Sequence, residues 1–246
     1  MPALYPKMRE RPPEFRINRA WPLWDKLLAA FIPDNTTSPR YLYDIRDGGS
    51  YDYIEGTPAQ RVWSYQLRRH VLRIPMCRYD KMRPQFYWSE SSPVMIVAWC
   101  AAVQYSKWAC CIGIKGDPNI SIGVNNSTTA KFHFSDSGGA QYRYLPCNWT
   151  NEQWHSLVGG RYNYTCYCSV DGQPYSQVTR TSAVSSIYTT PCIGDSRYGY
   201  RLDGYVADVL VLNSILTTHE WAAYSDPTNV DLRVGGIPLI LPPRRR

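Results

Sequence analysis

The 246-residue chain has no long heptad or amphipathic-helix run, which excludes coiled coils and helical bundles. No stretch approaches the roughly 18 apolar residues that span a bilayer, so no membrane partner is expected. The opening "MPALYPKMRERPPEFRINRAW" lacks the apolar segment of a secretory signal, and synthesis in a cytoplasm is the expectation. Also missing are a phosphate-binding P-loop, a G-x-S-x-G elbow, an H-E-x-x-H zinc motif and a dinucleotide fingerprint. The familiar signatures of nucleotide, acyl-transfer and metalloprotease chemistry go with them.

What the chain does have is 20 Tyr, 9 Trp, 19 Pro and 16 Gly, a composition that favours pleated, turn-rich structure. Eight cysteines (77, 100, 110, 111, 147, 166, 168 and 192) read as small buried hydrophobes in a reducing compartment. Neither Cys110–Cys111 nor Cys166–Cys168 has the C-x₂₋₄-C spacing that grips a tetrahedral zinc ion. After release from a cell, Cys147 and Cys192 are candidates to meet. Sequons begin at Asn35, Asn126, Asn148 and Asn163, and without a secretory signal they read as chance matches.

The net charge of +7 is unevenly placed. Lys7, Arg9, Arg11, Arg16 and Arg19 outweigh Glu10 and Glu14 in residues 1–20, and Arg233, Arg244, Arg245 and Arg246 stand unopposed in 232–246. Residues 21–231 are neutral overall. The basic ends are suited to an acidic partner, a phosphate backbone or a neighbouring subunit, or simply to solvation. Three regions follow: a basic arm over 1–20, one domain over 21–230, and a Pro/Arg arm over 231–246.

Within the domain, "AWPLWDKLLAAFIPD" leaves helix and strand both open, because Trp24, Leu27, Leu28 and Phe31 have helical spacing but Pro22 and Pro33 bracket them. Residues 34–60 read as loop. "RVWSYQLRRHVLRI" reads as one or two half-exposed strands, whereas "SPVMIVAWCAAV" is apolar on both faces and needs a second cover, from the N-terminal arm or another chain. In "YNYTCYCSV", Tyr162, Tyr164, Cys166, Cys168 and Val170 alternate onto one core face, and Asp171-Gly172 supplies a type I′ turn. His155, beside Trp154, reads as structural. Asp203-Gly204 reads as a further turn before the apolar strand 205–212. Thr217 with Glu220 forms a capping box for a short helix from Thr218 that stops before Pro227.

In sequence, Trp154-His155, Val170-Asp171-Gly172, Ile193-Gly194, Gly204-Tyr205-Val206-Ala207-Asp208-Val209, and Leu216 through Glu220 to Asp226-Pro227 resemble the laminin-G-like, concanavalin A-like jelly-roll family over about 85–230. Ala207 departs from the Asp common there. The resemblance implies an all-β fold: a two-sheet antiparallel jelly-roll sandwich, concanavalin A-like, with a short C-terminal helix and extended terminal arms. It also implies that "DKLLAAFIPD" is an early strand pairing near the last one. More loosely, Ile17-Asn18-Arg19 and the Pro-Arg tail resemble the flanks of tailed-bacteriophage structural proteins.

Glycosidases of this scaffold carry an E-x-D-x-x-E strand, and none of the six glutamates (10, 14, 55, 90, 152, 220) has an Asp two residues on. Asp52 with Glu55, and Asp44 with Asp47, read as solvated turn residues, so no catalytic residue is assigned. Lectins of this shape hold calcium through loop carboxylates; Asp195, Asp203 and Asp208 are the oxygen donors to consider, although hydrogen bonding in turns accounts for them as well. Tyr198, Tyr200 and Tyr205 are placed to stack on sugars or on a protein.

Two functions follow. One is a non-catalytic virion structural protein, a capsid decoration or tail-associated subunit made in the host cytoplasm. It would grip capsid or tail neighbours through Arg9, Arg11, Arg16, Arg19, Arg244, Arg245 and Arg246, and present a glycan-binding surface. The other is a carbohydrate-binding, lectin-like module for cell-surface glycans. Nucleic-acid binding through "RPQFYW" and the arms is the weaker third.

Overall fold

The structure, a computed structural model, describes residues 23–31, 33, 41–44, 46, 50–67, 69–83, 86–88, 92–104, 109–115, 119–136, 139–180, 187–195 and 200–225. Both arms fall outside this set. In chain order the strands are β1 (Leu27–Phe31), β2 (Tyr41–Tyr43), β3 (Ser50–Glu55), β4 (Gln60–Ser64), β5 (Arg69–Pro75), β6 (Arg78–Arg83), β7 (Phe86–Trp88), β8 (Val94–Ala102) and β9 (Ala109–Lys115). There follow β10 (Asn119–Asn126), β11 (Thr129–Asp136), β12 (Gly139–Pro146), β13 (His155–Tyr162), β14 (Thr165–Val170), β15 (Ser176–Thr179), β16 (Ile187–Ile193) and β17 (Asp203–Leu212), and the helix α1 (Thr218–Ser225) closes the described chain.

The strands form two antiparallel sheets. One runs β15-β14-β13-β8-β17-β5-β4 with β1 added to β17; the other runs β12-β11-β10-β9-β16-β6-β3-β2 with β7 added to β16. Their facing surfaces bury a core that includes Ile96, Ala98, Ile112, Ile122, Phe132, Leu157 and Val209, the two-layer solution for half-apolar strands. This is the jelly-roll sandwich implied by the sequence resemblance.

β17 is the hub of the first sheet. One edge pairs with β8; the other is shared, with Asp203–Val206 against β5 and Val209–Leu212 against β1. The block 24–31 is therefore one 3-10 turn (Trp24–Lys26) followed by a strand that meets the last one.

Four expectations need correction. Residues 34–60 are not all loop: β2 and β3 lie there, and Leu42 and Tyr51 sink into the core. Asp203-Gly204 is not a turn but the start of β17. A Cβ on Gly204 would stand 2.2 Å from the Ala101 carbonyl oxygen, so glycine is needed for close strand approach. Tyr162 and Tyr164 do not face the core, because Asn163, at φ 50°, turns the β13–β14 hairpin and leaves both tyrosines exposed. Finally, the outer face of β8 is covered from within this chain. Leu23 and Trp24 before β1, with Leu216, Trp221 and Tyr224 around α1, pack on Met95, Val97 and Trp99.

The remaining local signals agree with the geometry. Asp171 and Gly172 have φ of 49° and 72°, as a type I′ turn requires. Glu220 N–H donates to Thr217 Oγ1 at 3.1 Å and Thr217 N–H to Glu220 Oε2 at 2.8 Å, which completes the capping box. Glu220 also holds Lys26 at 2.8 Å, tying the helix to the turn before β1. Cys77, Cys100, Cys111, Cys147, Cys166, Cys168 and Cys192 are buried free thiols, so Cys147 and Cys192 are not bridged. Burial pushes the Cys77 and Cys168 thiols up to about 12. Among the described residues no helix is long and apolar enough to cross a membrane.

Candidate functional site

The outer face of the β17 sheet is only half covered. Beyond the patch sealed by α1, toward the β5–β4 edge, a cleft of about 480 Å³ opens. Three stretches of chain build it: Val62–Gln66 with Val71 and Arg73, the turn Asn151–Glu152 with Trp154, and Tyr205. Sheet order explains the meeting. β17 lies between β8 and β5, and β13 flanks β8, so the turn that feeds β13 overhangs the strand bearing Tyr205.

Aromatic rings dominate the walls. Trp63 is 49% exposed and Tyr65 is 87% exposed, values that no folding argument requires of such large side chains. Trp63 is braced edge-on by His70 at 5.2 Å, and Trp154 leans on Tyr205 at 6.2 Å between ring centroids. Rings held this way present flat apolar area with little rotamer entropy left to lose.

The polar groups are fixed as firmly. The Arg73 guanidinium lies 5.2 Å from the Tyr205 ring centroid. Its Nη1 donates to the carbonyls of Ile74 (2.7 Å) and Gly204 (3.1 Å), and its Nη2 to the Asp203 carboxylate. Burial raises the Tyr205 phenol, the Glu152 carboxylate that accepts its hydrogen bond raises it further, and Arg73 opposes both. Asn151 and Glu152 both have left-handed backbone, φ 57° and 54°. Two successive non-glycine residues in that region are strained, and such strain collects where side chains must be aimed.

His155 sits just behind this turn. Its Nδ1 is 2.6 Å from Asp171 Oδ2 and its Nε2 is 2.6 Å from the Asn148 carbonyl. Both partners are acceptors, so both ring nitrogens donate and the imidazolium is favoured. Burial works against the charge, yet the Asp171 carboxylate and the Asn148 carbonyl together raise the pKa above the ordinary histidine value. With both nitrogens committed, His155 clamps the start of β13 to the Asp171 turn and has no free edge for proton transfer.

Of the residues singled out from sequence, Tyr205 reaches the cleft. Tyr200 is exposed but does not line it, and Tyr198 lies outside the described residues, as do Arg9, Arg11, Arg16, Arg19, Arg244, Arg245 and Arg246. The three calcium candidates do not converge. Asp195 is fully buried with Arg201 Nε 3.6 Å away, Asp203 is paired with Arg73, and Asp208 is buried within β17. Among the described residues no group of three His, Cys, Asp or Glu side chains is arranged for a metal ion. These residues therefore do not fit calcium. The proposed carboxylate pairs are also occupied elsewhere: Asp44 is buried and accepts from Ala30 and Arg46 N–H, and Glu55 pairs with Arg78 and Arg201.

Another exposed aromatic patch, Tyr142 and Tyr144 on β12, offers less. His133 stacks on Tyr142 at 4.9 Å and Lys131 Nζ stands 4.2 Å from the same ring centroid, so neighbouring side chains already use that ring.

Comparisons with known proteins agree with this architecture. A family model described as the concanavalin A-like lectin/glucanases superfamily matches residues 84–221. No curated protein matches the chain. Among solved structures, the binding domain of Paraclostridial Mosquitocidal Protein 1 is similar at TM-score 0.62 and 10% identity, over 83% of this chain and 52% of that one. The binding domain of botulinum neurotoxin serotype D/C is similar at TM-score 0.60 and 10% identity, again over 83% and 52%. Domain 4 of AbnA, an extracellular arabinanase from Geobacillus stearothermophilus solved with arabinotriose, is similar at TM-score 0.59 and 12% identity, over 80% and 97%. The chain thus spans about half the length of the toxin domains and nearly all of the arabinanase domain. At these identities the likeness is one of fold.

Proposed function

Since the chain belongs to the concanavalin A-like lectin/glucanase superfamily, we propose that it is a non-catalytic carbohydrate-binding module whose site is the aromatic cleft. The carrying observation is the set of rings, exposed Trp63 and Tyr65 with half-buried Trp154 and Tyr205, around hydrogen-bonding groups. Sugar rings have apolar C–H faces and polar hydroxyl edges. The indoles and phenols serve the faces, and Asn151, Glu152, Gln66 and Ser64 serve the edges. The arabinotriose bound by domain 4 of AbnA supports a glycan for this chain. Binding is favoured over cleavage because Glu152 is the one carboxylate lining the cleft among the described residues, and glycoside hydrolysis ordinarily uses two.

Isothermal titration of the purified protein against oligosaccharides tests this reading. Binding is expected, and Trp63→Ala or Trp154→Ala should weaken it by about tenfold or more, equivalent to about 1.4 kcal/mol. Unaltered affinity in both variants would move the site elsewhere.

A second reading, a viral-particle subunit locked to capsid or tail neighbours by its arms, is supported by the confinement of the net charge to residues 1–20 and 232–246. Deleting Arg244–Arg246 should then abolish incorporation into particles and leave glycan affinity unchanged, with copy number read by quantitative mass spectrometry.

A further inference from the structure

We propose that the cleft selects neutral oligosaccharides over acidic ones, with Glu152 as the residue that turns carboxylated or sulfated sugars away. The inference rests on the glycan reading above and names the class of glycan.

Among the described residues Arg73 is the single cation lining the cleft and the natural partner for an acidic sugar. A guanidinium recognises a carboxylate through its planar fork of N–H donors. Here three of the five N–H donors are already taken. Nη1 is shared between the carbonyls of Ile74 and Gly204, and Nη2 is held by Asp203. Asp203 does not line the cleft, yet it neutralises the charge that does. Arg73 thereby braces the Tyr205 ring with its charge already paired, which leaves an acidic ligand little to gain from it.

Among the described residues Glu152 has no ion-pair partner of its own, and the Tyr205 phenol is the group that donates to it. Among the described residues the lining holds one carboxylate and one cation, and the cation's charge is cancelled from behind. The local balance is negative although the whole chain carries +7. A ligand carboxylate would meet like charge on one side and an occupied guanidinium on the other, and would have to shed water for both. A neutral sugar meets neither obstacle. Its hydroxyls can donate to Glu152 and its apolar face can lie on Trp63 or Trp154. The hydrogen bond from the Tyr205 phenol holds the Glu152 carboxylate at the wall.

The experiment titrates the full chain with neutral oligosaccharides (arabinotriose, xylotriose, maltotriose, cellotriose) and with acidic ones (trigalacturonate, a hyaluronan tetrasaccharide) at low and high salt. The wild type is expected to bind at least one neutral ligand and to disfavour the acidic set. Two variants act on opposite sides of the argument: Glu152→Gln removes the repelling charge, and Asp203→Asn releases the charge of Arg73. Each should raise the acidic-to-neutral affinity ratio several-fold, on the order of tenfold together at low salt, with the gain shrinking as salt screens it. Acidic ligands bound as well as neutral ones by the wild type, or a ratio unmoved in both variants, would overturn the neutral preference while leaving the glycan reading intact. No binding to either set would overturn the glycan reading itself.

Discussion

One face of one sheet carries two contrasting regions. On one half, Trp221, Tyr224, Leu216 and Trp24 cluster with Met95, Val97 and Leu210, and almost no aromatic surface reaches water. On the other half Trp63, Tyr65, Trp154 and Tyr205 stand around an open cleft. The composition is alike, and the difference is cover. Where α1 and the turn before β1 reach, aromatics stabilise the fold; where they do not reach, aromatics remain available to a ligand. Aromatic content therefore does not identify the site, but aromatic surface left uncovered does.

The contrast sets expectations for mutants. The largest effect falls on the sealed half. Trp221→Ala removes a fully buried indole that donates to Ser169 Oγ at 2.9 Å, and it should destabilise the protein by about 3–5 kcal/mol in chemical denaturation. On the open half, Trp63→Ala should change stability by no more than about 0.5 kcal/mol while weakening glycan binding about tenfold. If Trp63→Ala proved as destabilising as Trp221→Ala, the division into sealed and open halves would fail. Thr217→Ala lies between, removing the cap of α1 at a cost of about 1 kcal/mol in the same denaturation assay.

The smallest effect is one of pH. Because the folded state raises the His155 pKa, the clamp with Asp171 contributes in full below the ordinary histidine value of about 6.5 and is lost as pH rises through the raised folded value. Melting temperature should therefore fall, as pH rises above about 6.5, more in the wild type than in His155→Gln. Equal slopes would remove His155 as the cause.

Much of the frame was legible locally. The Asp171-Gly172 turn, the Thr217–Glu220 box and the two-faced apolarity of 94–102 are each written in a few adjacent residues, because each depends on short-range sterics or alternation. What covers β8 was not legible, since the cover comes from residues 23–24 and 216–224, far away in sequence. The cleft was less legible still. Tyr205 was found as an aromatic in a polar loop context, but Trp63 and Arg73 read only as members of a half-exposed strand. Their meeting with Trp154 follows from strand order, which local pattern does not encode. One signal was available at Asn151, since asparagine is among the few residues that tolerate left-handed backbone.

The split edge of β17 has a consequence for how the chain is made. Leu27 pairs with Leu212, and β5 and β8 also wait for the same strand. On a ribosome, the first-made strand must therefore remain unpaired until nearly the whole domain has emerged, and a single late strand then joins three earlier ones at once. Such a topology concentrates the entropy of loop closure in one final event, which places folding among the slower, millisecond-to-second class. Until that event, the hydrophobic edges of β5 and β8 are open to wrong partners.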